Sequence, residues 1–129
     1  MKKKLFIVDD DVRIHKLIMA VIPSDEFEII QAFDGQGVVE RIESEQPDLV
    51  ILDIMMPVGD GRDICDNIKK NPETKDIKIL MLSAKDEHHE RIQGLGIGAD
   101  EYITKPFNAP LLANKIKAMC GIKFTPNSQ

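Results

Sequence analysis

The sequence predicts a single α/β domain built on a parallel β-sheet. The chain has 129 residues, which is enough for one domain with a substantial core. Its composition, 43% hydrophobic and 30% charged, is that of an ordinary globular protein. Short apolar segments alternate along the chain with segments of helical periodicity. Alternation of this kind indicates βαβ units and therefore a parallel sheet with helices on its faces.

Five apolar segments predict the strands of this sheet. Each segment is too short for an ordinary helix, and the first four are rich in Val, Ile, Leu or Phe. The segments cover residues 4–8, 27–32, 48–53, 77–82 and 101–104. Because a helical segment separates each strand from the next, we expect all five strands to run parallel.

Five helices are expected between and after these strands. Four of them carry apolar residues at helical spacing, which predicts one buried face in each. These residues are Ile14, Leu17, Ile18 and Val21 in the first helix, Val38, Val39 and Ile42 in the second, Ile64, Cys65 and Ile68 in the third, and Leu112, Ile116 and Met119 in the last. The pattern is weaker over residues 86–97, where we expect a helix with few packing contacts.

Polar or charged side chains follow four of the predicted strands. They are Asp9, Asp10 and Asp11 after the first strand, Asp53 after the third, Ser83 after the fourth and Lys105 after the fifth. Because the carboxyl ends of parallel strands share one edge of the sheet, these groups are predicted to form the site. Carboxylates placed this close together repel one another, so the site is expected to need a cation.

The chemistry of these residues favours a magnesium-dependent phosphoryl site. Mg²⁺ binds carboxylate oxygens and completes its octahedron with water or phosphate oxygens. Histidine and cysteine are missing from this edge, which argues against zinc. A carboxylate such as Asp53 can accept a phosphoryl group as an acyl phosphate. Lys105 and Ser83 could then bind the phosphoryl oxygens.

These motifs resemble the receiver domain of two-component response regulators, of the chemotaxis-regulator type. The resemblance covers about residues 3–121 and depends on four motifs in order. The motifs are Val8-Asp9-Asp10-Asp11, Leu52-Asp53-Ile54-Met55-Met56-Pro57 with Asp60-Gly61, Leu82-Ser83-Ala84, and Gly98-Ala99-Asp100-Glu101-Tyr102-Ile103-Thr104-Lys105-Pro106-Phe107. The resemblance implies a flavodoxin-like fold, with a doubly wound five-stranded parallel sheet in the order 2-1-3-4-5 and five flanking helices. Residues 1–122 would form the receiver domain, and residues 123–129 a tail or the start of a linker.

The resemblance also implies how the phosphoryl group is handled. Asp53 would be the phosphoacceptor, supplied by a phosphohistidine on a sensor histidine kinase or a phosphotransfer protein. Ser83 and Lys105 would contact the phosphoryl group, and Lys105–Pro106 would be a cis peptide bond. The domain would catalyse only its own phosphorylation and dephosphorylation, and so would not be an enzyme in the usual sense.

A metal site and a switch are implied in the same way. Asp10 would bind Mg²⁺ directly, Asp9 mainly through a water molecule, and Met55 through its backbone carbonyl, with Asp53 completing the protein ligands. Ser83 and Tyr102 would form the switch, the tyrosine ring turning inward as the serine moves toward the phosphate.

Charge and hydropathy restrict the partners. The net charge of −5 argues against direct nucleic-acid binding by this domain. No segment has the roughly 20 apolar residues of a membrane span, and the apolar stretch after the basic start is too short for a signal peptide. We therefore expect a cytoplasmic protein without membrane contact. The resemblance implies a downstream effector domain or protein as a further partner, and it allows a phosphorylation-dependent homodimer.

Four other interpretations compete with this one. A haloacid-dehalogenase-type phosphatase has a second aspartate two residues after its nucleophile, where this chain has Met55. A flavodoxin-like cofactor binder has a phosphate loop after its first strand, where this chain has three aspartates. The domain could also belong to a larger transcription factor or hybrid kinase. A pseudo-receiver that acts only as a scaffold is the remaining alternative.

Several residues have a plain structural interpretation. Asp11 is expected to cap the first helix, and Asp60-Gly61 to form a turn. The histidines His15, His88 and His89 are expected to be solvated helix residues. Cys65 and Cys120 have no metal-ligand or disulfide spacing and are expected to be reduced thiols on helices.

Overall fold

A computed structural model describes residues 2–84 and 98–121 and arranges them as a parallel β-sheet with helices on both faces. The strands are β1 Lys3–Val8, β2 Phe27–Ala32, β3 Leu49–Asp53, β4 Lys78–Ala84 and β5 Glu101–Lys105. The helices within the described ranges are α1 Val12–Val21, α2 Val38–Glu45, α3 Gly61–Lys70 and α4 Ala109–Met119. The helix predicted over residues 86–97 and the tail predicted over residues 123–129 lie outside the described residues.

The sheet has the predicted topology. Its order is β2-β1-β3-β4-β5, and every neighbouring pair is parallel. The flavodoxin-like architecture and the strand order 2-1-3-4-5 are therefore confirmed. Strand β4 continues two residues past its predicted end because Ser83 and Ala84 pair with Thr104 and Lys105 of β5. Polarity at Ser83 suggested a strand end, but backbone pairing does not depend on the side chain.

The hydrophobic core forms one layer on each face of the sheet. Along β1, Leu5 and Ile7 point into one layer while Phe6 and Val8 point into the other, as the two-residue period of a strand requires. Helices α1 and α4 cover the first layer, and α2 and α3 cover the second. Strand β3 is buried over its whole length, which is typical of a central strand in a doubly covered parallel sheet.

Two aspartates begin helices beside the site. The side chain of Asp11 caps α1 by accepting from the backbone N–H of Arg13 at 2.9 Å, as predicted. Asp60 caps α3 by accepting from the N–H of Arg62 at 2.8 Å, so Asp60-Gly61 begins a helix and is more than the turn we expected. Hydrogen bonds from the arginine side chains lower the pKa of both carboxyls, that of Asp11 to about 2.

The expectation that His15 is solvated is wrong. Its side chain is fully buried, and the buried stripe of α1 continues through Ile18 to Ile22. Those three residues are spaced i, i+3 and i+7, so the helical period itself placed His15 on the inward face. The prediction treated the polar ring as exposed. A buried imidazole is nevertheless stable when both of its nitrogens are hydrogen-bonded. His88 and His89 lie outside the described residues.

The two cysteines are buried, as free thiols. Burial raises the pKa of the Cys65 thiol and of the Cys120 thiol to about 11 each. Both thiols are therefore protonated at neutral pH and poor nucleophiles.

Candidate functional site

The carboxyl ends of β1, β3 and β5 bring four of the predicted site residues together. Asp9, Asp10 and Asp53 each offer one carboxylate oxygen, and the three oxygens lie within 4.8 Å of one another. The Nζ atom of Lys105 lies 3.1 Å from Oδ2 of Asp9 and 3.4 Å from Oδ1 of Asp53. We call these four residues the acidic site. It contains three carboxyl groups and one ammonium group.

The acidic site has too little positive charge for its carboxylates. Asp9 and Asp53 are buried while Asp10 is exposed. Burial first, and then the charge of Asp9, raise the pKa of Asp53 to about 7, although Lys105 opposes the shift. Burial disfavours the charged form of Lys105, but the carboxylates of Asp53 and Asp9 outweigh it and raise the pKa of that amine. A further cation would therefore be held favourably here.

Asp9 is held by its backbone and by one carboxylate oxygen. Its N–H donates to the carbonyl of Ala32 at 3.2 Å, and its Oδ1 accepts from the N–H of Asp11 at 2.9 Å. Its Oδ2 is buried and, among the described residues, accepts no hydrogen bond. The ion pair with Lys105 at 3.1 Å lacks hydrogen-bond geometry. Oδ2 therefore faces the acidic site, where its contact within the described residues is the ion pair with Lys105 and where a metal cation could also reach it.

The donor set fits a hard divalent cation. All the side-chain atoms that Asp9, Asp10 and Asp53 offer are carboxylate oxygens, and hard cations bind such oxygens in preference to nitrogen or sulfur. One of these oxygens, Oδ2 of Asp9, is buried without a hydrogen-bond donor in the described part of the chain. The residues present can therefore hold such an ion.

The segment after β3 folds tightly against the site. Gly61 donates its N–H to the carbonyl of Ile54 at 2.8 Å, and Met55 forms an isolated antiparallel bridge with Asp60. A Cβ atom on Gly61 would overlap the carbonyl oxygen of Asp53 and lie 2.9 Å from Cα of Ile54. Only glycine allows α3 to begin this close to Asp53. The side chain of Met55 is 58% exposed and lies outside the core.

A second contact holds the same segment from the β2 side. The N–H of Gly35 donates to the carbonyl of Val58 at 2.6 Å. A Cβ on Gly35 would lie 2.8 Å from Cα of Gly59, whose φ is +91°. Two glycines therefore permit the loops after β2 and β3 to touch through their backbones, which limits the movement of the chain that follows Asp53.

The remaining predicted residues lie on β4 and β5. Ser83 is buried and pairs with Thr104. Asp53 pairs with Leu82, so Ser83 is one residue further along the strand that neighbours the aspartate. Tyr102 pairs with Met81 and packs, partly buried, against the core layer that α2 and α3 cover. The Lys105–Pro106 peptide bond is cis.

Replacing Lys105 with methionine is expected to destabilise the metal-free protein near neutral pH. The free energy of unfolding should fall by about 3 kcal/mol, because two buried carboxylates lose their only ammonium partner within the acidic site. The matched control is Lys115→Met, which breaks the partly exposed pair with Glu101 at 3.1 Å and should cost less than about 1 kcal/mol. Urea unfolding in EDTA measures both. Equal losses would mean that the acidic site does not depend on Lys105 for its charge balance.

Two residues that bear on the site were missed from the sequence. His15 donates to the carbonyl of Asp9 and is contacted by the amide of Gln31 on β2. The helical spacing of His15 relative to Ile18 could have revealed its burial. No sequence signal indicated its contact with Gln31, because the two residues meet only when β2 pairs with β1.

Across the described residues, the longest and most apolar helices still fall short of what crossing a membrane requires.

A doubly wound sheet with carboxylates at the carboxyl ends of β1 and β3 and a lysine at the end of β5 is the arrangement expected of the receiver-domain class. The sequence model of the response regulator receiver domain matches residues 5–117. The chain belongs to this family, and it is a receiver domain of the two-component response regulators.

Its relatives are consistent with that membership. The chain is 37% identical over 119 residues to the alkaline phosphatase synthesis transcriptional regulatory protein PhoP of Bacillus subtilis (strain 168). That match covers 92% of this chain but 49% of PhoP, so the chain spans about half the length of that curated relative.

Two crystal structures have the same fold. One, from Chloroflexus aurantiacus J-10-fl and assigned as a response regulator, is 30% identical with a TM-score of 0.86, covering 94% of this chain and 99% of that one. The other is DrrB, a Thermotoga maritima OmpR/PhoB homologue, at 27% identity and a TM-score of 0.81, covering 94% of this chain and 54% of that one.

Proposed function

We propose that Asp53 accepts a phosphoryl group in a Mg²⁺-dependent reaction and that the resulting acyl phosphate switches the domain between two conformations. The convergence of three carboxylates and Lys105 around a buried Asp53 carries this proposal. Asp53 is held in place by β3 and by the close approach of Gly61. It is therefore a preorganised nucleophile next to a cation and a candidate metal site.

The transfer would be a substitution at phosphorus. A carboxylate oxygen of Asp53 attacks the phosphoryl group of a phosphohistidine, the new O–P bond forms as the P–N bond breaks, and the electron pair stays on the imidazole nitrogen, which takes up a proton. Lys105 neutralises one phosphoryl oxygen, and the hydroxyl of Ser83 donates to another. Hydrolysis of the acyl phosphate would return Asp53 to its free form, so the domain would catalyse only its own phosphorylation and dephosphorylation.

The cation would be held by the carboxylates of Asp9, Asp10 and Asp53 and by the carbonyl of Met55. Asp10 would bind directly and Asp9 mainly through water. When bound, Mg²⁺ would neutralise charge on the phosphoryl oxygens as the transfer proceeds. The buried Oδ2 of Asp9, which lacks a hydrogen-bond donor among the described residues, supports this assignment.

The switch and its output complete the proposal. Phosphorylation would bias an equilibrium in which Ser83 moves toward the phosphate and the ring of Tyr102 turns inward. Coupling free energies of this kind are about 1–3 kcal/mol.

The proposed receiver domain covers residues 1–122, with a fifth flanking helix over residues 86–97. Residues 123–129 are proposed to form a tail or the start of a linker.

The protein is proposed to act in the cytoplasm. Its proposed partners are a sensor histidine kinase or phosphotransfer protein and a downstream effector domain or protein. PhoP is a transcriptional regulatory protein of about twice this length, which supports an effector domain such as that of a transcription factor. A phosphorylation-dependent homodimer is a further part of the proposal. Leu111 on α4 is 54% exposed, next to the Glu101–Lys115 ion pair, and this surface is available for either contact.

The decisive experiment is phosphorylation by a small donor. Incubation with acetyl phosphate and Mg²⁺ is expected to add one phosphoryl group, which tandem mass spectrometry of borohydride-reduced protein would locate at Asp53. EDTA and Asp53→Asn should each abolish the modification. The control Asp11→Asn changes a partly buried helix cap, which asparagine can also form, and should be phosphorylated like the wild type. Modification at another residue, or the same yield in EDTA, would refute the proposal.

A further inference from the structure

His15 is the buried group that the proposed chemistry leaves without a role. Its ring is fully buried in α1, and its Nε2 lies 2.7 Å from the carbonyl oxygen of Asp9. A carbonyl can only accept a hydrogen bond, so Nε2 carries the proton. The other nitrogen, Nδ1, then accepts from the side-chain amide of Gln31 at 3.1 Å. Both ring nitrogens are satisfied, which fixes the ring orientation and its tautomer.

The surroundings of His15 connect it to the edge strand β2. Gln31 lies on β2, and Phe33 directly follows that strand and stacks on the His15 ring with 4.3 Å between centroids and 30° between planes. Between them, Ala32 accepts the N–H of Asp9 at 3.2 Å. Asp9 is therefore held directly by Ala32, and indirectly by Gln31 and Phe33, which both contact the imidazole of His15.

This arrangement determines where the Asp9 carboxylate can point. The backbone N–H and C=O of Asp9 are both engaged, and Oδ1 accepts from the N–H of Asp11 at 2.9 Å. The remaining oxygen, Oδ2, is thereby turned into the acidic site beside Lys105. Loss of the imidazole would release the peptide between Asp9 and Asp10, and with it the direction of two of the three carboxylates.

We propose that His15 is a positioning residue for the divalent-cation site and acts on the cation through the backbone of Asp9. It does not touch the cation. The inference rests on the proposed function, because the ion that it positions for is the Mg²⁺ proposed at the acidic site. Groups that orient metal ligands without touching the metal commonly change metal affinity by about 10- to 100-fold when they are removed.

Mg²⁺ titration of four proteins, followed by amide NMR shifts of the full chain, tests the proposal. His15→Leu removes the donor while keeping an apolar side chain, and its Kd for Mg²⁺ is expected to rise about tenfold. His15→Gln can return an amide N–H toward the Asp9 carbonyl, and its Kd should stay within about twofold of wild type. Thr74→Val is the matched control, because Thr74 is equally buried and donates to the carbonyl of Ile68 at 2.7 Å, outside the acidic site.

The control separates positioning from general stability. Thr74→Val removes a hydrogen bond from a buried side chain to a backbone carbonyl, as His15→Leu does, so both variants should lose stability in urea. The Kd of Thr74→Val should nevertheless stay within about twofold of wild type. If Thr74→Val weakens Mg²⁺ binding as much as His15→Leu does, or if His15→Gln fails to restore it, the proposal is overturned.

Two further measurements keep the test decisive. If His15→Leu does not fold, Gln31→Met removes only the hydrogen bond to Nδ1 and is expected to raise the Kd by about threefold, and an unchanged Kd would overturn the inference. In wild type, imidazole ¹⁵N shifts should show the proton on Nε2, and a proton on Nδ1 alone would equally overturn it. Normal Mg²⁺ binding by wild type and His15→Leu alike would refute this inference and leave the proposed function intact. A wild type that does not bind Mg²⁺ would refute both.

Discussion

Replacing Asp53 with asparagine will stabilise the metal-free protein by about 2 kcal/mol at about pH 8. The carboxyl is buried beside Asp9, and its pKa is raised to about 7. In the unfolded chain the same group titrates near pH 4. The folded state therefore carries an ionised group in a place that disfavours the charge, and an amide of the same shape removes that cost. A shift of this size corresponds to at most about 4 kcal/mol, and relaxation of the site reduces it.

The direction of the pH dependence follows from the raised pKa. Below about pH 4 the carboxyl is protonated in both states, so wild type and Asp53→Asn should be equally stable. Between about pH 4 and pH 7 the unfolded chain loses its proton first, and the stability of wild type falls relative to the variant. Above about pH 7 the difference is constant.

Urea unfolding in EDTA at several pH values measures this difference. Asp25→Asn, which changes an exposed carboxylate, should stay within about 0.5 kcal/mol of wild type throughout. Mg²⁺ should stabilise wild type more than Asp53→Asn, because it relieves the charge that asparagine has already removed. If Asp53→Asn were less stable than wild type at alkaline pH, the ionised carboxylate of Asp53 would not be destabilising the folded state.

Replacing Gly61 with alanine will destabilise the protein by about 3 kcal/mol. A Cβ there would overlap the Asp53 carbonyl oxygen and lie 3.0 Å from its carbonyl carbon. The neighbours are backbone atoms of a fully buried strand, which cannot move aside as a flexible side chain could. Gly61 is the first residue of α3, where helix propensity alone would make alanine better by up to about 1 kcal/mol. A loss of stability in Gly61→Ala would therefore indicate the overlap with Asp53, whereas a gain would indicate that helix propensity dominates.

The matched control is Gly37→Ala. Gly37 has a φ of +70°, and a Cβ added to it would meet no atom of a non-adjacent described residue within 4 Å. Alanine there has a backbone cost of about 1 kcal/mol without an overlap. Thermal and urea unfolding compare the two. Gly61→Ala should also weaken Mg²⁺ binding, because Asp53 must shift, whereas Gly37→Ala should not. A Gly61→Ala protein as stable as wild type would show that α3 can withdraw from β3 without cost.

The fold could be predicted because its signals are local and repeat. The apolar run of β3 indicated a buried strand, and alternation with helical segments indicated parallel pairing. The Asp11 cap followed from a residue type at a helix start. Boundaries were less accurate, as at Ser83, where a polar side chain was taken for the end of a strand that continues through backbone pairing.

Other features could not be predicted because they depend on contacts between distant residues. The contacts of His15 with Gln31 on β2 and with Phe33 just after it form only when β2 lies beside β1. The close approach of Gly61 to Asp53 depends on the angle at which α3 leaves β3. The contact of Gly35 with Val58 joins two loops that have no common sequence pattern.

The amino-acid sequence by itself determined the parallel sheet and the set of polar residues at its carboxyl edge, since periodicity and strand ends depend on neighbouring residues. The strand order followed only from the resemblance to receiver domains. The tertiary structure alone decided how strongly those residues interact. Distances of 3.1 Å and 3.4 Å from Lys105 to two carboxylates, the burial that raises the pKa of Asp53, and the imidazole behind Asp9 arise only after packing. Electrostatic energy depends on separation and solvent exposure, and neither quantity exists until the strands are assembled.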